Sequence, residues 1–262
     1  MLSGLSCTAK KTIVTLQECI ACAESIDCVC DYTPSLIRSM ISERIDEYIH
    51  VTDLTTCPRQ KILKRQIPYI EKLDNLFFKF RGTGLHLAIE LKSSKNLLTE
   101  FEVSINIDGE TIIGRIDEID LKNAILRDYK TAAEYPRHPY VAHTKQINIY
   151  KYMYELEYNT EIKFLELIYI SMRGVKKFRV SPENRDDVEK FLKERVNHIK
   201  NAKNLINTVA EFGPLCGYCP EEVKRYCRAI EIKKWLKEKG LKKLPSIEEI
   251  IAEMPVDLYA MD

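Results

Sequence analysis

The sequence lacks any long hydrophobic run: no apolar stretch reaches the ~18 residues that a membrane-spanning helix needs. Its first residues do not follow the order of basic, apolar and then small residues that marks a secretory signal peptide. An excess of one charge is missing too, because 40 Lys and Arg balance 39 Asp and Glu to a net charge of +1. We therefore expect a cytoplasmic protein without a membrane partner, in which any nucleic-acid binding comes from local basic patches.

Apolar residues, by contrast, make up 45% of the 262 residues, which is enough for one large globular domain with appendages. Cysteine is abundant as well, with nine residues. Disulfides are rare in reducing compartments, so that the spacing of these cysteines indicates metal ligands more than crosslinks. They fall into an N-terminal group, one isolated residue and a late group: Cys7, Cys19, Cys22, Cys28 and Cys30; Cys57; and Cys216, Cys219 and Cys227.

The N-terminal group contains a Cys-x-x-Cys pair. Cys19 and Cys22 have metal-ligand spacing, and Cys28 and Cys30 would complete a set of four thiolates. The alternative is a weakly structured leader segment that carries free thiols. The sequence leaves both interpretations open.

The late group has the pattern of a metal clip. Cys216-x-x-Cys219 is followed by Cys227, but three thiolates are one fewer than the usual four. Cys57 is the natural fourth ligand if the fold brings the two parts of the chain together. Zinc and an iron–sulfur cluster both take four thiolates, and the sequence does not separate them.

Basic residues follow Cys57 in a segment with a helical pattern. They form either a solvated helix face or a contact to phosphate groups. These residues are Arg59, Lys61, Lys64 and Arg65.

The acids that stand out lie on predicted strands. Alternate residues of a strand share a face, so Asp128 and Lys130 point one way and Tyr129 the other. An acid of the preceding strand, Asp117 or Asp120, can lie close to Asp128. Carboxylate oxygens are the ligands that magnesium and manganese prefer, with the lysine as an adjacent cation. The alternative is a set of cross-strand ion pairs at a solvated edge.

Two helices carry further candidates. The glycines at 82 and 84 are expected to end one helix, and a new helix from Thr83 carries His86. A lone histidine is usually structural, but this one precedes the sheet that carries the acids. Gln146 and Tyr150 are four residues apart on a predicted helix and therefore share one face.

The order of elements is helix, three-stranded meander, helix, strands, helix, which predicts a mixed α/β sheet flanked by helices. The Asp108-Gly109 dipeptide is a strong hairpin turn. The predicted elements are helices over 15–26, from 52 through 63, over 68–80 and from 83; strands over 98–107, 110–121 and 124–130; a helix over 140–157; strands over 162–171 and 175–180; and a helix over 183–209, capped by Ser181.

Together these motifs resemble the RecB-type branch of the PD-(D/E)XK nucleases that carry an iron–sulfur clip. Within that branch the chain looks most like the CRISPR-associated exonucleases of archaea and bacteria, over roughly residues 45–230. The motifs are Gly82-x-x-x-His86, Gly114-Arg115-Ile116-Asp117, Asp128-Tyr129-Lys130, Gln146-x-x-x-Tyr150, and one early plus three late cysteines.

The resemblance implies an α/β fold of the restriction-endonuclease type. Its mixed sheet is flanked by helices, and a four-cysteine iron–sulfur clip joins the N- and C-terminal helical parts. We predict three segments: a cysteine-rich appendage over 1–39, the RecB-like nuclease domain over 40–230, and a basic helix with an acidic tail over 231–262.

The resemblance also implies roles for single residues. His86, Asp117 and Asp128 would bind Mn²⁺ or Mg²⁺ with the Tyr129 carbonyl, and Lys130 would activate the attacking water. Asp128 stands where many relatives have Glu, which keeps the charge with a shorter reach. The DNA path would be lined by Gln146 and Tyr150 and by Arg59, Lys61, Lys64 and Arg65, and a [4Fe–4S] cluster, or [2Fe–2S] as in some members, would be held by Cys57, Cys216, Cys219 and Cys227.

The activity implied is a metal-dependent exonuclease that acts on single-stranded DNA and trims spacer precursors together with the integrase proteins of CRISPR adaptation. The chain would act alone or as an oligomer, since some relatives form rings. One alternative is the same enzyme in recombination, replication or repair, or a viral counterpart. Another is a non-catalytic DNA-binding module with a cysteine-bound metal, which is less favoured because the residues for catalysis are all present.

Overall fold

The computed structural model describes residues 1–7, 9–41, 48–91, 94–201, 204–241 and 243–255. It divides into two compact units. The first consists of Met1–Glu43, Cys57–Phe77 and His198–Asp262, and the second of Arg44–Thr56 and Phe78–Asn197. The predicted segment boundaries after residues 39 and 230 stay a prediction, and residues 256–262 of the predicted acidic tail lie outside the described residues.

The strands are β1 (Leu2–Cys7), β2 (Thr12–Val14), β3 (Ile49–His50), β4 (Tyr69–Lys72), β5 (Leu97–Ile107), β6 (Glu110–Asp120), β7 (Ile125–Thr131), β8 (Phe164–Ser171) and β9 (Gly174–Val180). The helices are α1 (Leu16–Glu24), α2 (Pro34–Met40), α3 (Val51–Leu54), α4 (Pro58–Gln66), α5 (Leu73–Glu90), α6 (Val141–Tyr158), α7 (Arg185–Lys200), α8 (Glu221–Glu238) and α9 (Ile247–Glu253). No helix in these described ranges is both long and apolar enough to cross a membrane.

The second unit is built on a six-stranded mixed sheet in the order β3-β6-β7-β8-β9, with β5 also paired to β6. β5, β6 and β7 form the antiparallel meander, whereas β7 and β8 run parallel. Helix α6 packs on this sheet, and its buried residues contact β5, β6, β7 and β8. The mixed sheet flanked by helices is therefore confirmed.

The meander owes its register to local turn chemistry. Asp108 and Gly109 both have positive φ, +51° and +86°, as the tight turn of a right-twisted hairpin requires. The Asn106 side chain accepts the Gly109 N–H at 3.1 Å. The hairpin predicted from this dipeptide is confirmed.

The predicted helix break at residues 82 and 84 is wrong. Helix α5 runs from Leu73 to Glu90 through both glycines. A glycine inside a helix costs only ~1 kcal/mol relative to alanine, which is too little to end a helix whose flanking turns are well formed. The segment expected to begin the preceding helix is instead strand β4, which pairs in parallel with β1.

Two other helices are shorter than predicted. The helix through Cys57 is two helices, because α3 ends at Leu54 and Cys57 is the N-cap of α4, with Pro58 in its first position. Helix α7 runs from Arg185 to Lys200 rather than over 183–209, and Leu205–Asn207 form a separate 3₁₀ turn. Contacts with α6 hold the preceding residue, since the Glu183 N–H donates to the Asn148 side chain at 2.8 Å.

The first unit has a three-stranded sheet in the order β2-β1-β4 and a helical core. Leu63 and Ile67 of α4 pack against Val223 and Ile230 of α8. Cys219 and Cys227 lie at the edge of this cluster. The early and late cysteine segments thus belong to one packed core.

Candidate active site

A cavity of about 240 Å³ opens in the second unit beside the edge of the meander. It is walled by residues from α5, β5, β6, β7 and α6, which meet there because β6 and β7 are neighbours in the sheet. Its walls include His86, Glu100, Asp117, Lys130, Gln146 and Tyr150. Five of these six were predicted from the sequence.

Strand β7 supplies a buried carboxylate and its cation. The Lys130 ammonium donates to Asp128 Oδ1 at 3.0 Å and to Gln146 Oε1 at 3.0 Å. Asp128 is fully buried, whereas the Lys130 side chain keeps 17% of its exposure. Tyr129 points to the other face, where its hydroxyl donates to Glu118 at 2.9 Å, as the alternation of the strand predicts.

The structure resolves the choice between the two acids of β6. Asp117 lies beside β7, where its Oδ2 accepts the Tyr129 N–H at 2.5 Å, and its Oδ1 is 3.4 Å from His86 Nδ1. Asp120 instead accepts from the Asn123 side chain in the following turn at 2.8 Å. Asp117 is the acid that joins the cavity.

Burial dominates the electrostatics of the two carboxylates. Burial, followed by the nearby Asp128 charge, raises the pKa of Asp117 to about 8. Burial also raises the pKa of Asp128, although Lys130 opposes the shift. Two carboxylates taken out of water side by side favour shared protons or a bound cation.

Glu100 is the residue that the sequence analysis missed. Its Oε1 lies 2.9 Å from His86 Nδ1, and its side chain is only 7% exposed. Along β5 the alternating pattern places Glu102 on the exposed face, and Glu100 would follow it. The backbone at Glu100 has φ of +50°, which interrupts the alternation and turns the carboxylate into the cavity. No sequence signal marks such a left-handed residue, because glutamate seldom adopts this conformation.

These side chains fit a divalent cation. One ligand atom each from His86, Glu100 and Asp117 lies within 4.8 Å of the others, and carboxylate oxygens with one imidazole nitrogen suit Mn²⁺ or Mg²⁺. Asp128 lies next to this group but outside it: its buried Oδ2 is 2.9 Å from the Lys130 ammonium, which supplies its counter-charge.

Glu100→Gln is expected to weaken Mn²⁺ binding by about 10–100-fold, because the amide keeps the contact to His86 but loses the charge. Mn²⁺ affinity would be measured by paramagnetic titration of the apo protein. Glu102→Gln, two residues along the same strand and exposed, is the matched control and should bind normally. Equal affinities of the two variants would remove Glu100 from the metal site.

Gln146 and Tyr150 extend the network inwards. Gln146 accepts from Lys130 and donates from Nε2 to the Tyr150 hydroxyl at 2.9 Å. Both side chains are nearly buried, with 6% and 4% exposure. The predicted helix face that carries these two residues therefore lines the cavity. Gln146 on this face holds the Lys130 ammonium in position.

Gly114, the first residue of the Gly114-Arg115-Ile116-Asp117 motif, lies on β6 at a position with no room for a side chain. A Cβ added there would lie 2.9 Å from Cε1 of Tyr150 and 3.1 Å from Val51 Cγ2. These contacts are closer than packed carbon atoms allow. The absence of a side chain lets Tyr150 lie against β6.

Gly114→Ala is expected to destabilise the protein by about 1–3 kcal/mol, because overpacking displaces Tyr150. Urea unfolding would measure the loss. Gly82→Ala is a control of opposite sign: its Cβ would meet only Thr131 Oγ1 at 3.6 Å, and alanine favours a helix interior. A Gly114→Ala variant as stable as the wild type would contradict the packing argument.

The basic residues of α4 are placed differently from one another. Arg59 is fully buried in the first unit, where its guanidinium donates to the Thr208 carbonyl at 2.6 Å and pairs with Glu231 at 2.6 Å. It is therefore engaged inside the unit and does not reach a DNA surface. Lys64 pairs with Glu71 at 3.5 Å, while Arg65 is exposed and Lys61 half-buried.

Cys57 and the three late cysteines lie near one another in the first unit, and each of the four sulfurs accepts an N–H group. The donors to Cys57 and Cys216 are the backbone N–H groups of Glu211 at 3.4 Å and Gly213 at 3.5 Å. The donor to Cys219 is Gln60 Nε2 at 3.0 Å, and the donor to Cys227 is Arg59 Nη1 at 3.4 Å.

N–H donors aimed at sulfur stabilise the thiolate form that a metal centre requires. Burial raises the pKa of Cys219 and Cys227, and the Gln60 and Arg59 contacts act against that shift. All nine cysteines carry free thiols. The four clip thiols are of the residue type and number that zinc and an iron–sulfur cluster both take, and their contacts do not distinguish the two.

The chain is similar in structure to SSO0001, with 23% identity over 70% of this chain and 89% of SSO0001 and a TM-score of 0.50, which is a likeness of fold. It is also similar to a candidate exonuclease from Eubacterium rectale at 10% identity, with 90% of this chain and 92% of that protein covered; the TM-score is only 0.36. No curated protein matches the chain.

The sequence profile of the PD-(D/E)XK nuclease superfamily matches residues 44–228, which span the cavity and the clip. The chain therefore belongs to the PD-(D/E)XK nuclease superfamily.

Proposed function

We propose that this protein is a metal-dependent DNA exonuclease that acts on single-stranded DNA. The observation that carries the proposal is that His86, Asp117 and Lys130 line one cavity, with the buried Asp128 in contact with Lys130. Membership of the nuclease superfamily supports phosphodiester hydrolysis as the reaction. The exonuclease mode and the single-stranded substrate rest on the resemblance of the five motifs to the CRISPR-associated exonucleases.

The acids and the histidine are the side chains that would hold Mn²⁺ or Mg²⁺: His86, Glu100, Asp117 and Asp128, together with the Tyr129 carbonyl. A bound divalent ion polarises a phosphate oxygen and lowers the pKa of a coordinated water. Lys130 is held by Asp128 and Gln146 with its ammonium in the cavity, where it orients the attacking water and stabilises the charge that develops on the phosphate.

Aromatic side chains near the cavity support a single-stranded substrate. Tyr140 is 54% exposed and packs edge-on against His143 and Tyr169, with ring centroids 5.4 and 6.0 Å away. Burial, and then the Lys130 charge, lower the pKa of His143 to about 3, so its ring is neutral at physiological pH. Exposed aromatic faces stack on unpaired bases whatever their sequence.

The four clip cysteines would hold an iron–sulfur cluster, [4Fe–4S] in preference to [2Fe–2S]. Their N–H donors come from α4 and from the segment that leads into α8, so the cluster would crosslink the two helical parts of the first unit. Its role in this proposal is structural. Lys61, Lys64 and Arg65 follow Cys57 on α4 and are the proposed phosphate contacts.

The test uses the full-length protein purified without oxygen, freed of divalent ions by a chelator and resupplied with Mn²⁺ or Mg²⁺. Linear end-labelled single-stranded DNA should shorten stepwise, while a circular single strand of the same sequence should stay intact. Cleavage of the circle would overturn the exonuclease mode. Iron and sulfide analysis of the same sample tests the cluster, and colourless protein that contains zinc would contradict it.

The proposed setting is CRISPR adaptation, in which the protein trims spacer precursors for the integrase proteins. Co-purification of the tagged chain with the integrase encoded beside it would support this setting. Retained exonuclease activity without such an association would favour a recombination, repair or viral role. Failure to cut any DNA, with normal DNA binding, would favour a non-catalytic module.

A further inference from the structure

The five N-terminal cysteines form a second group of thiols in the first unit, outside the clip. Cys7 ends β1, Cys19 and Cys22 lie on α1, and Cys28 and Cys30 lie on the loop before α2. The sulfur of Cys28 is 4.0 Å from that of Cys22 and 3.4 Å from that of Cys30. Three sulfurs are thus linked by two short contacts.

Cys19 belongs to the same group. It lies one helical turn before Cys22, so that both sulfurs are presented from one side of α1. The Cys19 thiol is buried in the first unit. The three-residue spacing of Cys19 and Cys22 on α1, together with the contacts of Cys28, places the Cys-x-x-Cys pair beside the Cys-x-Cys pair.

Local hydrogen bonds bring the loop back onto the helix. Thr15 and Glu18 form a capping box that starts α1, and Ser25 N–H closes its last turn on the Cys22 carbonyl at 3.1 Å. The Cys28 N–H then donates to the Ser25 carbonyl at 3.1 Å. This turn is what places the second pair of cysteines beside the first.

The segment has little hydrophobic core of its own. In the described part of residues 1–41, the buried apolar side chains are Leu5, Cys7, Cys19, Ile37 and Met40, whereas Ile26 and Val29 are exposed. A small segment with so little burial needs a crosslink or a metal to hold one conformation. The five thiols lie within this segment, which has few buried apolar side chains.

A positive charge is already in place beside the thiols. The Lys10 side chain hydrogen-bonds to Cys22, which raises the pKa of the lysine, and the Lys10 N–H donates to Cys7 Sγ at 3.4 Å. Four thiolates around a divalent ion carry a net charge of −2. A lysine at this position offsets part of that charge.

We propose that Cys19, Cys22, Cys28 and Cys30 bind one zinc ion as thiolates and that this second centre holds the N-terminal segment together. Two sulfurs bound to one zinc at ~2.3 Å lie about 3.8 Å apart in a tetrahedron. The distances from the Cys28 sulfur to those of Cys22 and Cys30, 4.0 and 3.4 Å, fall on either side of that value, and the other sulfurs would move closer to complete the tetrahedron. An iron–sulfur cluster places iron and sulfide between its ligands and needs wider spacing. The Cys-x-x-Cys and Cys-x-Cys pairs supply two ligands each.

The first test is metal analysis of the full-length protein expressed with added zinc and purified without chelator. Cys22→Ser with Cys28→Ser should contain one zinc fewer per chain than the wild type and the same amount of iron. Ser25→Ala, in the same turn but without a sulfur, should keep the zinc. Equal zinc in the double variant and in Ser25→Ala would overturn the proposal.

A second test needs no variant and so does not depend on folding of the substituted protein. In the wild type, the cysteines of the peptide over 19–30 should resist alkylation and become reactive after a zinc chelator is added. Alkylation at the same rate with and without the chelator would overturn the site. A native mass two units below the reduced mass, located in that peptide, would also overturn it, because it would show a disulfide.

Discussion

Lys130→Ala is expected to lower the rate of DNA cleavage by about 10²–10⁴-fold while single-stranded DNA still binds and the iron content is unchanged. The ammonium group is the one cation that contacts both Asp128 and Gln146 in the described cavity. Its removal takes away the charge that faces the reacting phosphate and leaves Asp128 buried without a counter-charge. The rate would be measured under single-turnover conditions with saturating Mn²⁺, so that a change in metal affinity does not enter.

Lys145→Ala is the matched control for this variant. It removes the same charge from α6 of the same unit. The Lys145 ammonium is 2.5 Å from Glu183, and Lys145 does not line the cavity. Its cleavage rate should stay near that of the wild type. Thermal unfolding of both variants separates a loss of chemistry from a loss of fold. Undiminished cleavage by a folded Lys130→Ala protein would remove Lys130 from the active site.

The second large effect concerns stability. Arg59→Met is expected to destabilise the first unit by about 3 kcal/mol and to lower the iron or zinc content of the clip. Arg59 is buried and binds the Thr208 carbonyl, Glu231 and the Cys227 sulfur. Methionine fills part of the volume but leaves these acceptors without their donor. The expected loss of stability is near the lower end of the range for breaking a buried ion pair, because the Glu231 side chain is 40% exposed and can be solvated.

Arg65→Met tests whether the effect belongs to the buried guanidinium rather than to the loss of a charge on α4. Arg65 is exposed on the same helix, so its substitution should leave unfolding and metal content nearly unchanged. Unfolding by urea and metal analysis would be made on both variants. An Arg59→Met protein as stable and as metal-rich as Arg65→Met would show that the buried contacts contribute little.

Several features of the second unit follow from short stretches of sequence. Asp108-Gly109 specifies the hairpin because both residues tolerate positive φ, and this local preference needs no distant partner. Asp128 and Lys130 share a face because strand alternation is a property of the backbone itself. Gln146 and Tyr150 share a helix face for the equivalent reason.

Other features depend on residues far apart in the chain. Asp117 rather than Asp120 reaches the cavity because of the register between β6 and β7, which the alternation of one strand does not define. The sequence predicts Arg59 on a basic surface, because the acceptors that enclose its guanidinium lie 149 and 168 residues later in the chain. The pattern of α4 contains no sign of them.

By itself, the sequence determined the order of elements from β5 to α7, the hairpin, the alternating faces and the grouping of the cysteines, because each depends on neighbours along the chain. Only the tertiary structure decided that Glu100 turns inwards, that Arg59 is buried, that α5 continues through its glycines and that the early and late cysteines meet. Each of these features depends on packing and hydrogen bonds between segments far apart in the chain, and at the glycines of α5 the opposing local preference is only about 1 kcal/mol.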